Sequence, residues 1–559
     1  MKVLILTLAL MIPLTLMKTT TDESSLKSRA ELTDYRETSR YEDVLEFIGG
    51  LQRLSDVVKV ETFGVTNEGR ALPLVILSRP GIDSPAQAAR SNRPVVFIMA
   101  NIHAGEVEGK EATLHLMRDI VTGSLAPLLD KMILLVAPIY NADGNEKIDI
   151  NNRTAQNGPS GGVGTRENGK QMDLNRDFMK LESPEARGLV EGVFNRWDPH
   201  IVIDLHTTNG SYHGYALTYS PSLNPNTDRR IISLVREGLL PEVTTALREK
   251  YSYRTYFYGN FSDERNPQRE LGGDAAKDPK VWATFDHRPR FGNNYVGLRN
   301  RIAILSEAYS YLDFRKRVDV TDKFVRAILD YVAVHATEVV TLVALADRYS
   351  LDTGTTLGNE QGMGTGFELK ASNKPVEILV GSVHRVPDPR TNKERLEATD
   401  EARPVKMTEY GEFQATRRVK VPAEYILKPN QRGTIDLLLA HGIVVEQTKK
   451  EETLQVEAYS VTKISRAARS FQGHRETRLE VASAKSKEVF PPGSFIISAH
   501  QSKAALVAYL LEAESDDGLV NWNFFDKELD QEPVGGAQRI YPVYRLAAAA
   551  RVPREIVKK

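Results

Sequence analysis

The spacing of apolar residues changes several times along the 559-residue chain, and each change marks an element. Val44, Leu45, Ile48 and Leu51 follow Glu42 and Asp43 at helical spacing, which predicts a helix over Tyr41–Leu54. Two strand-like runs, Val57–Phe63 and Leu72–Leu77, flank a turn containing Gly64, Asn67, Glu68 and Gly69 and predict a hairpin. Four near-continuous apolar runs, Val95–Met99, Met132–Ile139, Ile201–Leu205 and Arg301–Leu305, have the composition of strands buried on both faces. Helical patterns lie between and after them: one face through Ala112, His115, Leu116 and Ile120, then Pro184–Trp197, Ile231–Lys250 and one long helix over Val320–Leu345. Strands alternating with helices predict an α/β domain.

After Arg348 the period shortens. Glu377–Val383, Leu454–Val461 and Thr477–Val481 alternate between charged, Pro- and Gly-bearing turns, which predicts a β-rich C-terminal domain with one clear helix at Ser502–Leu511 and a Trp522, Phe524, Phe525 cluster. The expected division is residues 1–24 as leader, 25–346 as catalytic domain and 347–559 as a β-rich accessory domain that packs or binds but carries no catalytic constellation.

Composition narrows the class. Apolar residues make up 41%, charged residues 26%, and the formal net charge is -1, so no nucleic-acid surface is expected. Val3–Met17 is apolar apart from Thr and Pro; a spanning helix needs about 20 such residues, so the run reads as an export signal, with an uncleaved anchor as the alternative and the sole expected membrane contact. The chain has no cysteine, so neither a disulfide nor a cysteine-linked lipid is available.

Candidate chemistry sits where apolar runs stop. The first, VVFIMA, is followed by Asn101 and then His103-Ala-Gly-Glu106; the third ends on His206 in IVIDLHTTNG; the fourth leads into Glu307. In open α/β sheets the strand ends gather sites. Two imidazoles and a carboxylate with a fourth position free suit one catalytic Zn²⁺ per chain, and Glu307 would serve as general base, because an acid ending an apolar strand is costly unless used. Arg166 or Arg176 could face a developing oxyanion. The stretch GPSGGVG has no strand before it and no Lys-Ser/Thr helix after it, so Asn151–Gln171 is read as a flexible loop over the site rather than a phosphate loop. His115 and His287 read as ordinary packed histidines, and so does His213, with a pocket-lining place as its alternative.

Six ordered pieces, GVTNEGRALPL, HAGE, PIYNADGNE, DLNR, strand-end His206 and ILSEAYSY, resemble the zinc carboxypeptidase family, the carboxypeptidase A-like enzymes or funnelins, over about Tyr41 to Val340. The resemblance implies a three-layer α/β/α domain with a mixed sheet. It implies His103, Glu106 and His206 as zinc ligands, Glu307 as general base and Asp173 behind His103. Asn175 and Arg176 would grip the terminal carboxylate of a peptide or protein substrate, and Arg166 would be the oxyanion arginine, with Arg153 as second candidate. Gly105 stands where many members carry Arg, and Asp177 where many carry Asn; the interval from Arg176 to His206 is short. Tyr295 is the tyrosine close before Glu307 for a mobile-loop role. The implied activity is that of an exported zinc metallocarboxypeptidase. The alternatives are an amidase acting on cell-wall peptides or N-acyl amino acids, and a non-catalytic protein that keeps the metal.

Overall fold

A computed structural model describes residues 26–558 apart from 80–81, 209, 272–278, 389–390, 392 and 533–537. The apolar N-terminal run expected as a leader lies outside the described residues.

The centre is an eight-stranded sheet of β1 (Val58–Val65), β2 (Ala71–Leu77), β3 (Val95–Ala100), β4 (Ile133–Ala137), β5 (Ile201–Thr208), β6 (Leu217–Pro221), β7 (Thr255–Phe257) and β8 (Ile302–Tyr309). Their spatial order is β1-β2-β4-β3-β5-β8-β6-β7. The predicted hairpin β1/β2 is antiparallel, and so are β2/β4 and β8/β6. The pairs β4/β3, β3/β5, β5/β8 and β6/β7 are parallel. The mixed sheet expected from the resemblance is therefore present, with every residue of β3, β4 and β5 buried, as continuous apolar runs require when helices cover both faces. Those helices include α1 (Tyr41–Leu54) and α2 (Glu108–Val121).

Two elements differ from expectation. The long helix is two, α3 (Phe314–Val334) and α4 (Ala336–Thr353), which meet at 82° around His335. No Pro or Gly marks the break, and apolar periodicity runs through it. The C-terminal region also has a second long helix, Arg432–Ala440, beside Ala504–Leu511.

The strands Glu424–Leu427, Glu446–Thr448, Glu452–Arg466, Thr477–Phe490, Phe495–Ser498, Val543–Leu546 and Arg554–Ile556 form an antiparallel seven-stranded sheet. A further five-stranded sheet joins Asn260–Asp263, Asn266–Glu270 and Val281–Ala283 to Val376–Pro387 and Glu394–Tyr410, so strands from before and after residue 346 share one sheet. One apolar core is continuous from Val44 and Ile98 to Leu506 and Trp522.

Candidate metal centre and active site

The site lies at the C-terminal edge of β3, β5 and β8. β3 stops at Ala100, and Asn101 takes a positive φ of 66°, a conformation Asn tolerates better than most residues. The chain then closes a tight turn in which the Glu106 amide donates to the His103 carbonyl at 2.9 Å, and α2 begins at Glu108. This turn aims His103 and Glu106 inward, at 4% and 3% exposure. His206 and Glu307 lie two residues inside their strands rather than at the tips, because β5/β8 pairing continues to Thr208 and Tyr309. The same parallel register sets Glu307 beside His206, on neighbouring strands about 4.8 Å apart.

The three expected ligands converge, with one ligand atom from each within 4.8 Å of the others. Nδ1 of His103 is 3.1 Å from Glu106 Oε1, and Nδ1 of His206 is 2.9 Å from Glu106 Oε2. The two Nδ1 atoms are 3.2 Å apart. Each remote nitrogen faces a carboxylate: His103 Nε2 is 3.2 Å from Asp173 Oδ1, and His206 Nε2 is 3.0 Å from Asp204 Oδ2. The Asp173 contact assigns the His103 ring proton to Nε2, His206 Nε2 faces Asp204 as a close charge contact, and both Nδ1 atoms and the Glu106 carboxylate gather at one point. Such a donor set repels itself unless a cation sits among it, and it fits one zinc.

Asp204 was not expected. It precedes His206 by two, so strand alternation puts both side chains on one face of the sheet. It is 2% exposed, and neither carboxylate oxygen has a well-directed hydrogen-bond partner among the described residues. The signal was in IVIDLH: an acid inside an apolar strand.

Charges around the cluster oppose its burial. Burial pushes the Glu106 carboxyl up, but His103 and Arg153 hold it well below the usual range. Asp173 is likewise held low against burial, chiefly by His103. For Glu307 burial prevails: helped by Glu106 and opposed by His206, Arg153 and Arg166, it brings the carboxyl to about 8. Positive charge at the cluster lowers that value, toward the near-neutral range suited to a general base.

Both candidate arginines are present, in different circumstances. Arg153 donates from Nε to Gln156 at 3.0 Å and from Nη2 to the Thr207 carbonyl at 3.1 Å, and its Nη1 is 3.0 Å from Glu106. Arg166 is held by Asp173 through Nε at 3.0 Å and Nη2 at 2.9 Å, which turns Nη1 toward His103 Nδ1 at 3.3 Å. The glycine at 105 is explained by close approach, since a Cβ there would lie 2.4 Å from Arg153 Cδ. Arg153 thus occupies space that a side chain at 105 would need. Both arginines come from Asn151–Gln171, which is not a loose loop: buried Arg317 donates to the Asn157 carbonyl at 2.7 Å and the Gly158 carbonyl at 3.0 Å, and the Gly161 amide donates to the Arg36 carbonyl at 2.7 Å.

Asn175 and Arg176 follow Asp173 in a single turn, where Asp173 Oδ1 accepts from the Asn175 amide at 2.9 Å. Asn175 Oδ1 accepts from Gly292 at 2.8 Å, which leaves its NH₂ donors for a ligand. The Arg176 guanidinium lies over Phe291, its carbon 3.7 Å from the ring centre. Burial, aided by Arg166 and Arg290, lowers it to about 10, so it stays charged at neutral pH. Asp177 is no contact for a ligand: fully buried, it takes Lys180 Nζ at 2.6 Å and the amides of Glu182 and Ser183.

One cavity of about 340 Å³ is lined by the triad, Glu307, Arg153, Arg166, Asn175 and Arg176, and walled by Tyr258, Phe285, Asp286, Phe291 and Leu305. Tyr258 replaces Tyr295 as the tyrosine at the site. Tyr295 is fully buried, and its hydroxyl is 2.8 Å from His441 Nδ1. Tyr258 is raised above its usual range by burial and by Glu307. It stands far before Glu307 in sequence, in a region without strong periodicity, so no spacing signalled it. His213 packs in an aromatic cluster, 4.1 Å from the Tyr309 ring, and His115 sits beside Ser28 and Glu31. His287 is held by Asp516 at 2.8 Å between Phe367 and Phe413.

A metal-binding His₂Glu cluster with an independent half-buried acid, on the edge of a mixed α/β sheet, defines a mononuclear metallohydrolase centre. Residues 44–266 match the zinc carboxypeptidase family profile. Carboxypeptidase 2 of Trichophyton equinum is 25% identical over 504 residues, covering 86% of this chain and 81% of that protein. Carboxypeptidase D of Rattus norvegicus is 27% identical over 188 residues, covering 32% of this chain and 13% of that protein. Among solved structures, the carboxypeptidase A of Helicoverpa armigera overlays 56% of this chain and 75% of its own at 16% identity, with a TM-score of 0.37. Over residues 44–266 the chain is thus similar to the zinc carboxypeptidase family, and His103, Glu106 and His206 lie close enough together to hold one metal ion.

Proposed function

We propose that the protein is an exported zinc metallocarboxypeptidase that releases the last residue of a peptide or protein. The observation that carries the reading is the shared cavity: two groups suited to a carboxylate, Asn175 and Arg176, face the same space as the triad and Glu307. A planar guanidinium braced on Phe291, with Nη1 donating to the Asn175 carbonyl at 2.7 Å, keeps its Nε–Nη2 edge for a bidentate pair with a C-terminal carboxylate. The chemistry a zinc ion supplies when held by His103, Glu106 and His206 is Lewis acidity, which polarises a carbonyl and acidifies water. Glu307 takes the proton from the attacking water and passes it to the leaving amine. Arg166 Nη1 meets the charge that develops on the carbonyl oxygen, and Tyr258 offers a hydroxyl across the cavity from Arg166. Export rests on the apolar Val3–Met17 run alone.

The test is a matched pair of peptides, one with a free C-terminus and one amidated. The amide removes one negative charge and leaves Arg176 without its partner, so kcat/KM is expected to fall about 10- to 100-fold, the range for losing a charged hydrogen-bonded pair. Equal turnover of the two peptides would overturn the reading.

A further inference from the structure

One hairpin of the C-terminal region reaches the active site. Strands Glu452–Arg466 and Thr477–Phe490 end in a tip where Phe471 and His474 exchange backbone hydrogen bonds at 2.8 and 3.0 Å. The two residues between them, Gln472 and Gly473, have φ of 50° and 83°. Positive φ at both central positions is the signature of the type I′ hairpin turn, which favours Asn, Asp or Gly first and Gly second. Gln gains nothing from that conformation, and its presence there is a local conflict that points to use of the side chain.

The side chain is engaged. Gln472 Oε1 accepts the backbone N–H of Asp173 at 3.0 Å. Asp173 is the hub of the site: its Oδ1 faces His103 Nε2 and caps the turn carrying Asn175, and its Oδ2 holds Arg166. Two residues beyond Gln472, His474 Nε2 is 2.9 Å from Glu182 Oε1, while its Nδ1 is 3.1 Å from Asn523. The tip therefore grips the segment 173–182 at both ends, with Asn175 and Arg176 between the grips. Phe471 and Trp522 add a second hold, both lying over the guanidinium of Arg290, at 5.4 and 4.6 Å from the ring centres. Arg290 in turn precedes Phe291, the ring under Arg176.

We propose that Gln472 is a positioning residue for peptide hydrolysis: the C-terminal region completes the active site by fixing the turn that presents Asn175 and Arg176 to the substrate carboxylate. This rests on the carboxylate-gripping reading above, and it gives the region a role beyond packing.

The experiment uses the full-length zinc-loaded protein and two variants, Gln472→Gly and Gln472→Asn. Both residues suit the type I′ turn better than Gln, so neither is expected to lower the melting temperature. Gly has no acceptor, and Asn is one methylene too short to reach Asp173. KM for a free-acid peptide is expected to rise about fivefold in both, the size of one neutral hydrogen bond, with kcat changing less. Zinc affinity, read by competition with a chelator, is expected to weaken about two- to fivefold through Asp173 and His103. Unchanged KM in both variants, a fall in kcat alone, or a KM rise accompanied by a lowered melting temperature would overturn the proposal. Failure of the carboxylate reading would show separately, in wild-type protein that turns over amidated and free-acid peptides alike.

Discussion

The metal side of the cavity and its substrate wall are built in different ways. On the metal side, β3, β5 and β8 are adjacent parallel strands that are buried almost throughout; register sets Glu307 beside His206, and the tight turn after β3 fixes His103 and Glu106. The wall opposite is drawn from Tyr258, Phe285, Asp286 and Phe291, between and after short strands, braced by Asp517 and Gln472 from far along the chain. Rigid strand ends hold the groups that must meet one ion, whereas the surface that meets the substrate is assembled from long-range contacts. Changes on the first side should therefore act on the chemical step or on zinc, and changes on the second on substrate binding.

The largest expected effect is on the metal side. Glu307→Gln keeps the shape of the base and removes its proton chemistry, so kcat should fall about 10²- to 10⁴-fold with zinc content unchanged; steady-state kinetics with metal analysis checks it. The same group sets a pH dependence. Burial raises the Glu307 carboxyl to about 8, and a bound dication lowers it again. The base works deprotonated, so kcat/KM should rise with pH through a midpoint above the ordinary carboxylate value of 4.5 and no higher than about 8. An activity maximum below that ordinary range would exclude Glu307 as the base.

Asp204→Asn comes next. Asn keeps the shape but loses the charge facing His206 Nε2, and zinc affinity is expected to drop about 10- to 100-fold. Chelator competition reads this directly, and an unchanged zinc affinity would reduce Asp204 to a packing residue.

These expectations also show what the sequence made legible. His103, Glu106, His206 and Glu307 could be read because each follows a near-continuous apolar run, and such runs place their ends on one sheet edge. Asp204 obeyed the same logic, an acid in an apolar strand, but alternation had to be applied inside the run rather than at its end. Tyr258 was not legible as an active-site group, since its position depends on how loops fold over the sheet, and Arg153 was legible only through the family resemblance, as second candidate to Arg166. The bend at His335 left no mark either: the ring of His335 stacks on Tyr331 at 4.2 Å, and nothing in the local pattern stops the helix. Gln472 carried a faint sign, Gln-Gly at a hairpin tip, whose meaning depends on what lies opposite.

The smallest expected effects concern the wall. Tyr258→Phe should raise KM about two- to tenfold with zinc binding intact, as loss of one neutral hydrogen bond would. Tyr295→Phe should leave kinetics unchanged and lower stability by about 1 kcal/mol, because it removes a buried hydrogen bond with His441 and Tyr295 does not line the cavity. Kinetics and thermal melts of the pair separate the two tyrosines, and the reverse pattern would return Tyr295 to the site.

Everything above depends on His103, Glu106 and His206 holding one ion together. Zinc content per chain, measured on wild-type protein and on His206→Ala after equilibration at the same low free zinc, tests that most directly. One zinc per wild-type chain and essentially none in His206→Ala is the expected result, with peptide hydrolysis lost in parallel. Equal zinc in both proteins, or a zinc-free wild type that still cleaves peptides, would contradict it.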